Sequence, residues 1–161
     1  MKAALDIKAM ANPAFGSLIV REIVKGHMEQ DGKPLSIAVT FVSVPLVFSP
    51  KYLGDVFSNS NKSTGFVNWI GRHPEIIPGF PVRVKALKTY VISSLNFGLR
   101  HQIFSLNNAS LASFKKGLKK EPRWPASDDR GELLRSANKL GFWINNVSSL
   151  STIYASLGVK P

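Results

Sequence analysis

From Leu35 to Phe48 the chain runs for 14 residues without a charged side chain. A stretch of that kind must be buried, and the rest of a small fold has to be arranged around it. It is shorter than the roughly 20 residues a membrane span requires, and Ser36, Thr40, Ser43 and Pro45 interrupt it. It therefore reads as an interior element of a soluble protein. Periodicity alone leaves strand and helix open. The β-branched residues favour a strand, whereas the length and the interior proline favour a kinked, buried helix, and the helix is the expectation.

The surrounding pattern predicts further helices. Asn12-Pro13 is a helix start, because asparagine can cap free amides and proline at the first position lacks a donor that would be orphaned anyway. Phe15, Leu18, Ile19, Ile23 and Val24 follow at helical spacing, with Arg21, Glu22 and Lys25 between them. Ser49-Pro50 repeats the start signal for a short helix to about Phe57, and Thr64 can cap a helix holding Phe66, Trp69 and Ile70 that ends at His73-Pro74. Pro81 opens the longest helix, reaching about His101, with Val84, Leu87, Val91 and Leu95 as its apolar stripe. Ser127 with Asp128 and Asp129 starts another helix, and Ser149 opens a last one that Gly158 stops.

Between those helices, Ile103–Leu106 and Ala109–Phe114 flank Asn107-Asn108. Asparagine tolerates positive φ, so a two-residue turn at these two residues is expected, pairing Phe104 with Leu111 and Leu106 with Ala109. The predicted fold is mostly α with a small β-hairpin near 103–114. It is read as one winged-helix-like domain over residues 1–161, with the hairpin as the wing. A chain of this length buries roughly 70% of its unfolded surface and needs no staples. It has no cysteine, which excludes disulfides and thiolate metal sites and fits a cytoplasmic location. The start, Met1 to Asp6, has no apolar core of signal-peptide length.

Catalytic patterns are missing. His27, His73 and His101 have no His or acid partner at metal-ligand spacing on one helical face, and no His-Glu-x-x-His or Gly-x-Ser-x-Gly occurs. Gly26 and Gly32-Lys33 superficially resemble a phosphate loop, but the spacing is wrong by one and Pro34 stands where Ser or Thr is required. The ten carboxylates offer no catalytic pair, and Asp128-Asp129 is explained by helix capping. No catalytic residue, metal or cofactor is expected, and the chain is read as not an enzyme.

Charge carries the remaining signal. The formal net charge is +11, and Arg83, Lys85, Lys88 and Arg100 share one acid-free segment. Such an excess favours nucleic acid, an anionic surface or an acidic protein, although it also serves solubility alone. The densest cluster is Lys115, Lys116, Lys119, Lys120 and Arg123, interrupted only by Glu121 among charged residues of opposite sign. If all five neutralised phosphates, log affinity would fall with log salt at a slope of about −4 to −5. The plain reading is a loop of solvated lysines. Trp124 could stack on a base, but between Pro122 and Pro125 it reads better as a pin to the core.

Two end segments go beyond physical pattern: Asn12-Pro13-Ala14-Phe15-Gly16-Ser17-Leu18-Ile19-Val20 and Thr152-Ile153-Tyr154-Ala155-Ser156-Leu157-Gly158-Val159-Lys160-Pro161. With Gly32-Lys33-Pro34-Leu35, Val44-Pro45-Leu46, Ser63-Thr64 with Trp69, and Phe97-Gly98-Leu99-Arg100, they resemble the middle component of bacterial three-component ABC systems. The resemblance spans nearly the whole chain. It implies a non-enzymatic adaptor between an ABC-type ATPase, related to chromosome-maintenance and repair ATPases, and an effector subunit of the same operon, acting against phages or plasmids. ATP would be handled by the ATPase, and the resemblance carries no active-site residue. On this reading the terminal Ile153, Tyr154, Leu157 and Val159 form a candidate partner-docking element, with capping of the core as the plain alternative. The other reading is a stand-alone winged-helix-like DNA-binding protein or transcription regulator that uses the lysine cluster. Neither reading calls for a membrane.

Overall fold

The computed structural model describes residues 12–49, 60–114, 118–125 and 127–160. The short helix expected from Ser49-Pro50 to Phe57 lies outside them, apart from Ser49. Helix α1 (Pro13–Met28) starts where expected, with the Asn12 Oδ1 accepting the Ala14 N–H at 3.0 Å. It is the hub of the fold. Phe15, Ile19, Val20, Ile23 and Val24 are buried, and so are Gly16, Gly26 and Arg21. Arg21, one of the charged residues that fall between the apolar positions in sequence, is thus buried with them.

The uncharged run divides. Leu35–Ser36 is a short strand, β1, and Ile37–Val47 is helix α2 with Pro45 inside it. Every residue from Val42 to Ser49 is buried, so no apolar stripe was there to be read from periodicity. The Ser49 hydroxyl donates to the Pro45 carbonyl at 3.1 Å, within the last turn.

Helix α3 (Phe66–Arg72) inserts Phe66, Trp69 and Ile70 into the core, preceded by Gly65 at a φ of 75° rather than capped by Thr64. A 3-10 turn (Pro74–Ile76) leads to helix α4 (Phe80–Arg100), which buries Leu87, Val91 and Leu95 as expected. Its C-terminus is a Schellman motif. The Ile103 N–H reaches the Gly98 carbonyl at 2.8 Å, the Gln102 N–H reaches Leu99, and Gln102 takes a left-handed φ of 54°. That reversal launches the sheet directly from the helix. Gly98 leaves room for the Phe104 ring, which a Cβ there would strike.

Strands β2 (Phe104–Asn107) and β3 (Ser110–Ser113) form the hairpin, and β1 pairs with the other edge of β3, giving a three-stranded antiparallel sheet of order β1-β3-β2. The register corrects the expectation. Leu106 faces Leu111 and Phe104 faces Ser113, so the turn residues are Asn108 and Ala109, at φ of 48° and 58°. The cause lies in the third strand. The Ala109 carbonyl accepts the Ile37 N–H at 2.9 Å, and Leu35 pairs with Leu111. These contacts hold Ala109 in a conformation it would not choose alone.

Helix α5 (Asp129–Asn145) is capped by Asp128, whose Oδ1 accepts the Arg130 N–H at 2.8 Å. It runs alongside α1 in the same direction, since Glu22 meets Asn138 and His27 meets Asn145. The two backbones nearly touch. A Cβ on Gly26 would strike the Asn138 carbonyl, and one on Gly141 would strike that of Ile23. Helix α6 (Leu150–Ser156) closes the chain against α2, with the Tyr154 hydroxyl donating to the Ala38 carbonyl at 2.7 Å. The observed class is thus mostly helical with a small three-stranded antiparallel sheet. None of the described helices is long and apolar enough to cross a membrane.

Candidate functional site

The lysine segment leaves β3 at Phe114. Lys115, Lys116 and Gly117 lie outside the described residues, and the path resumes at Leu118. From there to Pro125 the chain has no regular structure, yet it is firmly tied down. Glu121 is the anchor. Its Oε1 accepts from Arg21 Nη2 at 2.6 Å and from the Leu118 N–H at 3.1 Å, while its Oε2 accepts from Arg21 Nη1 at 3.0 Å.

Arg21 has only 5% of its side chain exposed, and a buried guanidinium is tolerated only when paired. Glu121 supplies a two-pronged partner, and Glu22 adds a weaker contact at 3.3 Å. Glu22 in turn holds Lys25 at 3.1 Å and accepts from Asn138 on α5. The hydrogen bonds from Arg21, above all, hold the Glu121 carboxyl below its usual range.

The consequence is directional. The one acid of the cluster, itself partly exposed, is taken up by the buried Arg21, while Lys119, Lys120 and Arg123 are exposed and pair with no described acid. Together with Leu118 and Pro122 they rim a shallow, open depression. Trp124 is a pin, as its flanking prolines implied. It meets Phe15 edge-on at 6.0 Å and lies under the Arg130 guanidinium at 5.3 Å. Lysine side chains are thus displayed from a braced backbone.

A second basic surface lies on α4. Lys85, Lys88 and Arg100 are exposed, whereas Arg83 is half-buried and donates to the Phe48 carbonyl at 3.1 Å, which makes it structural. No Asp or Glu occurs anywhere from Ile76 to Lys120. The longest helix, the hairpin and most of the lysine cluster therefore share one acid-free stretch.

The histidines have structural surroundings. His27 Nδ1 donates to the Lys33 carbonyl at 3.0 Å, and burial pushes its pKa below the usual value. His73 pairs with Glu75 and packs on Trp69, and His101 stacks on Phe97 at 4.2 Å. Among the described residues no three His, Asp or Glu side chains converge as metal ligands would.

Of the four terminal residues expected to dock a partner, Ile153, Tyr154 and Leu157 are buried within the chain and Val159 is half-buried. They pack against the core, and α6 turns Leu150, Ser151 and Ala155 outward instead. Sequence reasoning missed the Arg21–Glu121 clamp. The available signal was Glu121 itself, the lone acid in a basic run, but its partner is 100 residues away.

No curated protein and no solved structure matches the chain. A family model does, that of the ABC-three component (ABC-3C) system Middle Component 3, over residues 3–161. With nearly its whole length matched, and with the end segments that first carried the resemblance included, the chain belongs to the Middle Component 3 family of ABC three-component systems.

Proposed function

We propose that this middle component is a non-catalytic adaptor that couples the ATPase of its system to the effector, in a bacterial defence against phages or plasmids. The observation that carries the reading is membership of a middle-component family along nearly the whole chain. The structure adds support of a physical kind. Arg21 and Glu121 fix the backbone of a loop that displays Lys119, Lys120 and Arg123, and a braced cationic surface meets an acidic partner at lower entropic cost than a floppy one. Co-expression of the tagged chain with the ATPase and effector encoded beside it tests this. A complex containing all three, with or without ATP, is the expected result, and failure to capture either component overturns the reading.

A second reading has its own observation. Helix α4 feeds straight into the β2–β3 hairpin, and the lysine cluster follows the hairpin, the order of a winged helix in which the wing meets DNA. On that reading the isolated protein binds duplex DNA at low salt, and Glu at Lys115, Lys116, Lys119 and Lys120 abolishes binding. Absence of DNA binding by the wild type at low salt removes it. Both surfaces can operate in one assembly, with the loop on nucleic acid while partners hold other faces.

A further inference from the structure

The outer face of α4 is unusual for a surface helix. Val82 is 71% exposed and Ile92 41% exposed, and both lie on the same outward arc as Lys85, Lys88 and Arg100. The helix has 21 residues, hence about 31 Å of length, and carries no acid to complement its own cations. Val82 and Ile92 stand about 15 Å apart along the axis, with Lys85 and Lys88 between them. We propose that this face docks an acidic amphipathic helix of a partner subunit, two apolar side chains seating on Val82 and Ile92 while carboxylates between them meet Lys85 and Lys88.

Protein fits this face better than nucleic acid does. Phosphates would pair with the lysines but would leave the two large apolar side chains without a partner. None of the exposed side chains of α4 is aromatic, so there is no platform on which an unstacked base could sit. Apolar anchors flanked by charges of one sign are instead the makings of a helix-in-groove or helix-on-helix contact, in which the anchors give affinity and the charges give orientation. The lysine loop has the opposite character, cations without exposed apolar neighbours between Lys119 and Arg123. The chain thus presents two basic surfaces of different chemistry.

This assignment rests on the adaptor reading, and one experiment separates the two. The full chain is co-expressed in turn with the ATPase and the effector encoded beside it, as wild type, as Val82→Asp/Ile92→Asp, as Lys85→Glu/Lys88→Glu, and as Lys119→Glu/Lys120→Glu. All six positions are exposed, and circular dichroism with a thermal melt confirms folding. Should the apolar pair fail to fold, the Lys85/Lys88 variant carries the test alone. The expected outcome is capture of both components by the wild type, with the capture of one of them weakened about 30-fold or more by the apolar pair and about tenfold by the Lys85/Lys88 pair. The loop variant retains that component. Capture unaffected by both α4 variants overturns the docking face and leaves the adaptor reading standing. If the wild type captures neither component, the adaptor reading fails and the docking face falls with it. If the Lys85/Lys88 variant instead loses only binding to a 30-base-pair duplex, the face belongs to nucleic acid.

Discussion

Replacing Glu121 with alanine removes the partner that permits a buried arginine, and the size of the effect follows from the geometry. Two charge-assisted hydrogen bonds to Arg21, at 2.6 and 3.0 Å, disappear, together with the acceptor for the Leu118 N–H. Leaving a buried charge fully unpaired costs about 3–5 kcal/mol. Two features reduce that figure here. Glu121 has 45% of its side chain exposed, so water can enter where the carboxylate stood, and Glu22 remains at 3.3 Å from Arg21. The expected loss is about 2–3 kcal/mol, or about 4–12 °C in Tm for a domain of this size. Arg21→Met behaves differently, because it fills the site with an apolar chain and lets Glu121 turn to water, at a cost of about 1 kcal/mol.

Urea unfolding of the two single variants and the double variant at pH 7 gives the coupling. The double variant should be scarcely less stable than Arg21→Met alone, leaving a coupling of about 2–3 kcal/mol. Limited trypsin digestion adds a local readout, with cleavage after Lys119 and Lys120 accelerated in Glu121→Ala. The pH dependence has a fixed sign. The folded-state pKa of Glu121 lies below the ordinary 4.5, so its contribution is present above that value and is lost as pH falls below it and through the folded pKa. Glu121→Ala should therefore flatten the acid limb of stability relative to wild type. A coupling under about 0.5 kcal/mol, or Arg21→Met proving the costlier change, would refute the reasoning.

The crossing of α1 and α5 makes a second prediction. Gly26→Ala gains up to about 1 kcal/mol in helix propensity but drives a methyl group into the Asn138 carbonyl, so a net loss of about 3 kcal/mol or more is expected by urea titration. Gly141→Ala should do the same, and the pair should cost less than the sum because one separation of the helices relieves both contacts. Ala109→Gly has the opposite sign. Relief of a φ of 58° should stabilise by about 1 kcal/mol, seen as a Tm rise of about 2–4 °C, and a fall would count against strain at the turn. For the loop, Lys119→Glu/Lys120→Glu should leave Tm within about 2 °C of wild type, since both side chains are exposed. The same change should reduce by about 2 the slope of log affinity against log salt for heparin or DNA, and an unchanged slope would show that these lysines do not meet the polyanion.

Local chemistry was legible wherever the determining atoms are neighbours in sequence. The caps at Asn12, Asp128 and Ser149 each accept a backbone N–H two or three residues on, so composition alone marks the helix starts. Hairpin existence was legible for the same reason, but its register was not. Asn107-Asn108 is the better turn by intrinsic preference, and Asn108-Ala109 prevails because β1 pairs with β3 and Ile37, just after β1 and some 70 residues earlier, claims the Ala109 carbonyl. The site divides the same way. The exposed lysines were visible as a cluster, whereas the clamp beneath them depends on Arg21, a charged residue that falls between the apolar positions in sequence. Gly26, noticed only for a false likeness to a phosphate loop, is a contact point between helices.

The distribution of acids decides how the +11 charge should be understood. Were it only a solubility device, cations and acids would be interspersed over the whole surface. Instead, among the described residues, Glu22, Glu29, Asp31, Glu121 and Asp128 sit in ion pairs outside the Ile76–Lys120 stretch, holding Arg21, Lys25, Lys62, Lys33 and Arg130, and Glu75 contacts the His73 ring. Inside that stretch no acid is available to quench Lys85, Lys88, Arg100, Lys119 or Lys120. Glu121, the first acid after it, is taken up by the buried Arg21, so even the boundary leaves the cations unopposed. Cations that pair with no described acid, on the longest helix and on a clamped loop, carry an electrostatic cost that acidic partners can relieve. On the adaptor reading proposed above, that charge is the physical basis on which acidic subunits are brought together.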